Sequence, residues 1–304
     1  MKFFTLETLD QLNDGEEKPA KFAVIGNPVA HSLSPQLHQP ALDALGKDCR
    51  YVRVEVPEGR VAEAFQKMRE AGIEGINVTV PHKLEALEVC DEVSEGARAM
   101  GAVNTIVFEG ERKLGFNTDG PGFARAVREE FGVDLGDLRV LIVGAGGGAG
   151  RAIATQCALD DCEQLVLANR TVEKLEAIRA SVRPLFDQDR LEGPGEKVEI
   201  YGLDDPRLEE AAGRCELIIN TSSLGLKRGD GSPISPKWLE PHHLVYDTIY
   251  NPPRTELLKQ AEARGARVAN GLSLLLHQGA LSLEYWLGCE APLAAMREGI
   301  RGRV

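Results

Sequence analysis

In NVTVPHK (77–83) a strand-like run breaks at Val80-Pro81 and delivers Lys83 into the first turn of a helix. A cation there opposes the helix dipole, at a cost of a few tenths up to about 1 kcal/mol, so local stability does not ask for a lysine. Residues that break a local rule in this way are often functional. A lysine, with a reference pKa of ~10.4, falls toward neutrality near the dipole or in a desolvated cleft, as a general acid/base requires. The plainer reading is a surface lysine among Glu85 and Glu88. Asp119, in FNTDG (116–120), either caps the helix that follows or serves as a carboxylate partner that orients Lys83 and binds a hydroxyl. GNPVAHSLSP (26–35) follows a strand end and offers two hydroxyls, Ser32 and Ser34, which suit a carboxylate or polyol; alternatively Ser34 N-caps a helix beginning at Pro35. No G-x-S-x-G elbow supports a hydrolase, and the histidines lack metal-ligand spacing, so no metal is expected.

A second kind of chemistry sits in the other half. GAGGGA (144–149) fits G-x-G-x-x-A directly after the apolar strand RVLIV and before a helix, the context that marks a dinucleotide pyrophosphate site. Gly144 and Gly146 allow the tight turn and close approach, Ala149 is small enough for helix–strand packing, and the helix N-terminus offers N–H groups to phosphate. The next strand ends in Asn169-Arg170-Thr171, with Lys174 following, where an NAD site usually carries Asp or Glu. These residues suit a 2′-phosphate and favour NADP. As local structure, Thr171 is an N-cap and Arg170 and Lys174 a solvated face.

The elements that must position these groups alternate. FAVIG (22–26), YVRVEV (51–56) and GINVTV (75–80) are separated by helical stretches, VAEAFQKMREAG (61–72) among them, and a charged helix (83–90) follows. The loop FNTDGPG (116–122) reads as a boundary, and a second α/β layer follows with strands at 139–148, 164–170, 198–203, 216–222 and 244–250. A Pro/Gly/charge-rich stretch spans 183–197, and KRGDGSPISP (227–236) is a polar loop. GLSLLLHQGALSLEYWLG (271–288) is a helix with a broad apolar stripe that need not belong to the second layer. Residues 1–20 are polar and read as an extension that docks loosely or frays.

At roughly 100 to 200 residues per domain, 304 residues fit two domains, and 43% apolar residues can build their cores. A net charge of −12 argues against nucleic acid or anionic membranes and for small-molecule partners. No apolar run spans a bilayer and the six scattered cysteines form no C-x-x-C pair, so a cytoplasmic protein is expected.

Taken in order, GNPVAHSLSP, NVTVPHK, GAVNT, NTDG, GAGGG, NRT, NTSSLG, YDTIYNP and GLSLLLHQ closely resemble the shikimate dehydrogenase family, over about Lys21 to Gly288. The resemblance implies two open α/β domains: a substrate-binding/catalytic domain (1–120 plus 271–304) and a Rossmann-type NADP-binding domain (121–270), with the C-terminal helix returning to the first. It implies NADPH-dependent reduction of 3-dehydroshikimate to shikimate, a step of aromatic amino-acid biosynthesis; a monomer and a homodimer are both open expectations. Ser32 and Ser34 would bind the substrate carboxylate with Tyr250 beside it. Thr79, Lys83, Asn104, Asp119 and Gln278 would hold ring hydroxyls, and Lys83 would be the acid/base with Asp119 beside it. Gly144, Ala145, Gly146, Gly147, Gly148, Asn169, Arg170, Thr171, Lys174, Thr248 and Gly271 would hold the cofactor. The sequence departs from the family at Leu226 and Leu274, where Met is usual, and at Thr248. The stretch from the glycine loop to Asn169 is also slightly longer than typical. A paralogue acting on quinate or an aminated shikimate would share most of these residues, and a non-catalytic NADP sensor would use the first-layer polar groups only as caps.

Overall fold

The computed structural model describes residues 3–186 and 196–302. The chain divides into two compact units: one holds the residues up to Thr118 and again from Leu276, the other Asp119–Leu275.

The first unit runs β1 (Phe3–Thr5), β2 (Ala20–Gly26), α1 (Ser34–Ala44), β3 (Arg50–Glu55), α2 (Val61–Glu70), β4 (Gly75–Val78), α3 (Lys83–Val89), β5 (Glu92–Val93), α4 (Glu95–Met100), β6 (Thr105–Glu109) and β7 (Arg112–Phe116). Its seven-stranded sheet has the order β1-β3-β2-β4-β6-β7-β5. The β1-β3-β2-β4 part is parallel, whereas β6 is antiparallel to both β4 and β7. Central β2 is buried along most of its length, as expected of a parallel strand covered on both faces. In α2, Val61, Ala64, Phe65 and Met68 form a buried stripe at helical spacing.

Because β6 reverses direction, its start lies at the same sheet edge as the ends of β2, β4 and β7. Val78 N–H donates to the Asn104 carbonyl (2.8 Å) and Asn104 N–H to the Phe116 carbonyl (3.0 Å), which ties these segments together. Open α/β sheets bind ligands at such an edge.

Of the segment expected to dock loosely or fray, the described residues 3–20 are built into the unit. β1 pairs in parallel with β3, and Leu6, Leu9 and Leu12 are buried in the core beneath it. Those leucines recur every third residue, so their burial outweighs the polarity around them.

The second unit runs α5 (Asp119–Phe131), β8 (Arg139–Val143), α6 (Gly148–Leu159), β9 (Gln164–Asn169), α7 (Glu173–Val182), β10 (Val198–Gly202), α8 (Arg207–Arg214), β11 (Leu217–Asn220), β12 (Leu244–Asp247), α9 (Glu256–Ala263) and β13 (Arg267–Asn270). Its sheet is parallel throughout, in the order β10-β9-β8-β11-β12-β13, the doubly wound Rossmann arrangement. Apolar residues cover both faces. The Asp119 segment is not all loop: Asp119 is the first residue of α5, so only Asn117 and Thr118 separate β7 from the helix. The Pro/Gly-rich stretch falls largely outside the described residues, at 187–195.

Two helices complete the chain, α10 (Leu272–Leu287) and α11 (Leu293–Ile300). The apolar stripe of α10 is real, and from Leu276 onward it belongs to the first unit. There the Trp286 ring fills the space a side chain on Gly75 would take, and its Nε1 donates to the Ile106 carbonyl at 2.9 Å.

Candidate active site

In the first unit, Lys83 opens α3 after the Val80-Pro81 turn, where the peptide bond is cis. It is half-buried, and its carbonyl accepts from Val103 N–H at 3.0 Å, which places α3 against the Asn104 segment. Glu85, one of the acidic residues expected around Lys83, is used elsewhere. Its carboxylate accepts from Gly59 N–H (3.0 Å) and Val61 N–H (2.8 Å) at the start of α2. Thr79 N–H donates to the Ile25 carbonyl (2.9 Å), and a Cβ on Gly26 would stand 2.6 Å from the Thr79 methyl, so glycine is what allows the two strand ends to close.

Asn104 is 3% exposed and anchored through both ends of its amide. Its Nδ2 donates to Thr118 Oγ1 (3.0 Å), while Oδ1 accepts from Thr118 N–H (2.8 Å) and Thr105 Oγ1 (2.9 Å). Thr105 Oγ1 lies 2.8 Å from Ser282 Oγ, which donates to the Gln278 carbonyl at 3.0 Å. Asn77 Nδ2 donates to the same serine (2.9 Å), and Asn77 Oδ1 accepts from the Tyr51 hydroxyl (2.7 Å). One buried polar network therefore links Asn104 and Gln278, two residues expected to bind substrate. Asn77, Thr105, Thr118 and Ser282 were not singled out from the sequence, although the first three lie inside the NVTVPHK, GAVNT and NTDG motifs.

Ser32 and Ser34 form a hydroxyl pair. Ser32 Oγ donates to Ser34 Oγ at 3.1 Å and accepts from Ser34 N–H at 3.2 Å. The reading of Ser34 as an N-cap is overturned: it is the first helical residue, and the cap position is held by Leu33 with no side-chain bond. The Ser32 turn occupies Ser34 N–H instead.

In the second unit, a cavity of about 690 Å³ opens at the switch point where chain order reverses between β8 and β11. Gly144, Gly146, Gly147, Asn169, Arg170, Thr171 and Lys174 all line it. Ala145, Gly148, Thr248 and Gly271 do not. Ala145 is buried beneath the loop, Gly148 begins α6, and Gly271 packs on the Thr248 backbone. Gly144 has φ +82, and a Cβ there would stand 2.7 Å from Ser222 N. A Cβ on Gly146 would stand 2.7 Å from Asn169 Nδ2. The cradle thus leaves backbone rather than side chains facing the cavity, as close approach of a pyrophosphate needs.

The packing role given to Ala149 belongs to Gly150. Ala149 is exposed, whereas a Cβ on Gly150 would meet Ala145 Cα at 2.6 Å and Thr221 Oγ1 at 2.8 Å. The helix–strand contact thus sits one position beyond the alanine of the G-x-G-x-x-A pattern. Thr171 is likewise not the cap of α7, since Val172 holds that position. The Asn169 side chain donates to the Thr171 carbonyl at 2.9 Å and shapes this wall. The cavity also gathers Lys227 and Asp230, which the sequence showed only as a polar loop. The Asp230 carboxylate accepts from Gly225 and Lys227 N–H (3.0 and 2.9 Å), which lowers its pKa and folds the loop back on itself.

At the end of β12, buried Asp247 accepts from Asn220 Nδ2 (3.0 Å), Ile249 N–H (3.1 Å) and the Thr255 hydroxyl (2.6 Å), and burial raises its pKa. Tyr250 follows this turn half-buried, and burial raises the pKa of its phenol.

A doubly wound sheet with a glycine cradle at its switch point defines a Rossmann-type dinucleotide-binding protein, here joined to a second α/β unit with a built polar site. The shikimate dehydrogenase substrate binding domain matches residues 24–106, and the shikimate 5′-dehydrogenase C-terminal domain matches residues 271–300. The chain is 43% identical over 268 residues to a shikimate dehydrogenase (NADP(+)) of Geobacillus kaustophilus, covering 88% of this chain and 92% of that protein. It is similar to a shikimate dehydrogenase crystallised with NADP+, with TM-score 0.84, 35% identity and coverage of 94% and 96% of the two chains. The Thermus thermophilus enzyme in complex with NADP(H) and shikimate gives TM-score 0.81 at 33% identity, covering 94% of this chain and all of that one. This chain belongs to the shikimate dehydrogenase family.

Proposed function

We propose that the chain is an NADP-dependent shikimate dehydrogenase of aromatic amino-acid biosynthesis, transferring hydride reversibly between NADPH and 3-dehydroshikimate. The observation that carries the reading is the glycine cradle opening on a cavity walled by Arg170, Thr171 and Lys174, in a chain of this family. Arg170 and Lys174 suit a 2′-phosphate by charge and Thr171 by its hydroxyl. When bound, NADPH supplies the hydride. Lys83 gives its proton to the carbonyl oxygen as the carbon is reduced and takes it back in the reverse direction, its charge meanwhile stabilising negative charge on that oxygen. Asp119 is the accompanying carboxylate that orients the ammonium and accepts from a ring hydroxyl. Ser32 and Ser34 hold the carboxylate with Tyr250 beside it, while Thr79, Asn104 and Gln278 hold the remaining hydroxyls. In this reading the substrate domain (1–120 with 271–304) centres on the first unit and the NADP domain (121–270) on the second. The protein acts in the cytoplasm as a monomer or homodimer.

Absorbance at 340 nm tests this directly. Shikimate should reduce NADP rapidly and NAD poorly, and Lys83→Ala should lose on the order of 10²- to 10⁴-fold in kcat, the usual range for a lost acid/base. Quinate with NAD as the better pair would replace the proposal with a quinate dehydrogenase.

A further inference from the structure

Arg53, on β3, is 5% exposed, and its hydrogen-bond acceptors are neutral. Its Nε and Nη2 donate to the Ser32 carbonyl at 3.0 and 2.5 Å, and Nη2 also donates to Gln36 Oε1 in the first turn of α1 at 2.9 Å. Among the described residues no carboxylate forms an ion pair with it. Burial lowers its pKa from the ordinary guanidinium value, as expected of a charge taken out of water without a counter-ion. Burying a charge in this way is costly unless an opposite charge arrives.

The group it holds is the serine turn. Ser32 N–H donates to the Val29 carbonyl (3.0 Å), its own carbonyl takes the guanidinium fork, and its hydroxyl is set against Ser34. Arg53 therefore fixes the backbone that carries one hydroxyl and, through Gln36, the helix that carries the other. A fork of two donors on one carbonyl does this with a rigidity that a lysine lacks.

We infer that Arg53 is a positioning residue for the substrate carboxylate: it presets the Ser32/Ser34 hydroxyl pair and supplies the positive charge that makes this pair select an anion over a neutral group. The inference rests on the carboxylate role proposed for those serines.

The test compares shikimate with its methyl ester, the same ring without the charge, in the wild type, Arg53→Met and Arg53→Lys, with kcat and KM measured separately. The wild type should prefer the acid. Arg53→Met should raise KM for shikimate and cut the acid-over-ester preference in kcat/KM by about tenfold, with KM for NADP unchanged, and Arg53→Lys should restore most of the preference. Equal losses for acid and ester in Arg53→Met would mean a clamp without electrostatic selection and would overturn the inference. If the methionine variant does not fold, Arg53→Gln, polar but uncharged, decides: an acid-over-ester preference cut by about tenfold supports the inference, and one within about threefold of wild type overturns it. A wild type that oxidises quinate but not shikimate fails the substrate reading instead, and the comparison is then run with quinate and its methyl ester. No acid preference with the substrate that is oxidised overturns the inference.

Discussion

Gly150 and Ala149 differ by one methyl group and one position, yet only Gly150 is sterically committed. Its missing side chain leaves room for the Ala145 backbone and the Thr221 hydroxyl, whereas Ala149 is exposed. Gly150→Ala is therefore expected to cost about 1–3 kcal/mol in urea unfolding and to weaken NADP binding, while Ala149→Ser leaves both near wild type. The sequence showed small residues but not their register, because either spacing is compatible with a turn until the first residue of α6 is known. The cap readings of Ser34 and Thr171 were ambiguous for a related reason, since hydroxyls that cap helices are equally good ligands. Lys83, Asn104 and Gln278 could be picked out by motif. Asn77, Ser282 and Arg53 were not, because their work is to hold other residues: the Asn77–Ser282 bond spans 205 positions and the Thr105–Ser282 contact 177, distances at which local pattern carries no information.

At the scale of elements, α1, β3 and the second half of α10 meet around His38, which is fully buried. Its ring stacks on Tyr51 at 4.7 Å between centroids and lies 5.2 Å from Trp286. Neither ring nitrogen makes a hydrogen bond among the described residues. Burial pulls the imidazole from 6.5 down to about 3, with Asn77 nearby opposing the shift. The folded pKa lies below the unfolded one, so the unfolded chain binds the proton first. Stability is full above pH 6.5 and falls as pH drops from there toward 3, by up to ~1.4 kcal/mol per unit. His38→Phe should remove this component, so that between pH 7 and pH 5 the wild type loses about 2 kcal/mol more than the variant in urea titrations. A second packing test lies between β4 and α10. Gly75→Ala would collide with the Trp286 ring and should cost about 1–3 kcal/mol, and Trp286→Leu should relieve part of that cost in a double-mutant cycle. The stripe on α10 was legible because one helix face carries it. The edge strand β1 was not: three residues pairing with β3 and three leucines beneath it give too little local signal against a polar background, and only the exposed edge of β3 decides their place.

The whole molecule carries a net charge of −12, which repels an anionic cofactor, so binding depends on local cations outweighing the general field. Arg170, Lys174 and Lys227 on the wall of one cavity are placed to do so, with Asp230 turned toward backbone N–H groups of its own loop. The alternation of strands and helices was enough to read two α/β layers and to put the glycine loop in the second. It could not bring the 227–236 loop to the same cavity as Arg170, because strands separated by many residues become neighbours only through the winding of the sheet. If the three cations together read the 2′-phosphate, Lys227→Ala and Lys174→Ala should each weaken NADP by about tenfold while changing NAD by less than about twofold. Raising salt from 0.05 to 0.5 M should likewise weaken NADP more than NAD, because the partly exposed cations are screened while the glycine cradle is not. Titration calorimetry with both cofactors measures the two effects together. Equal weakening of NADP and NAD by the alanine variants would place the cations on the shared pyrophosphate, and the preference for NADP would then have to come from Thr171 and Asn169.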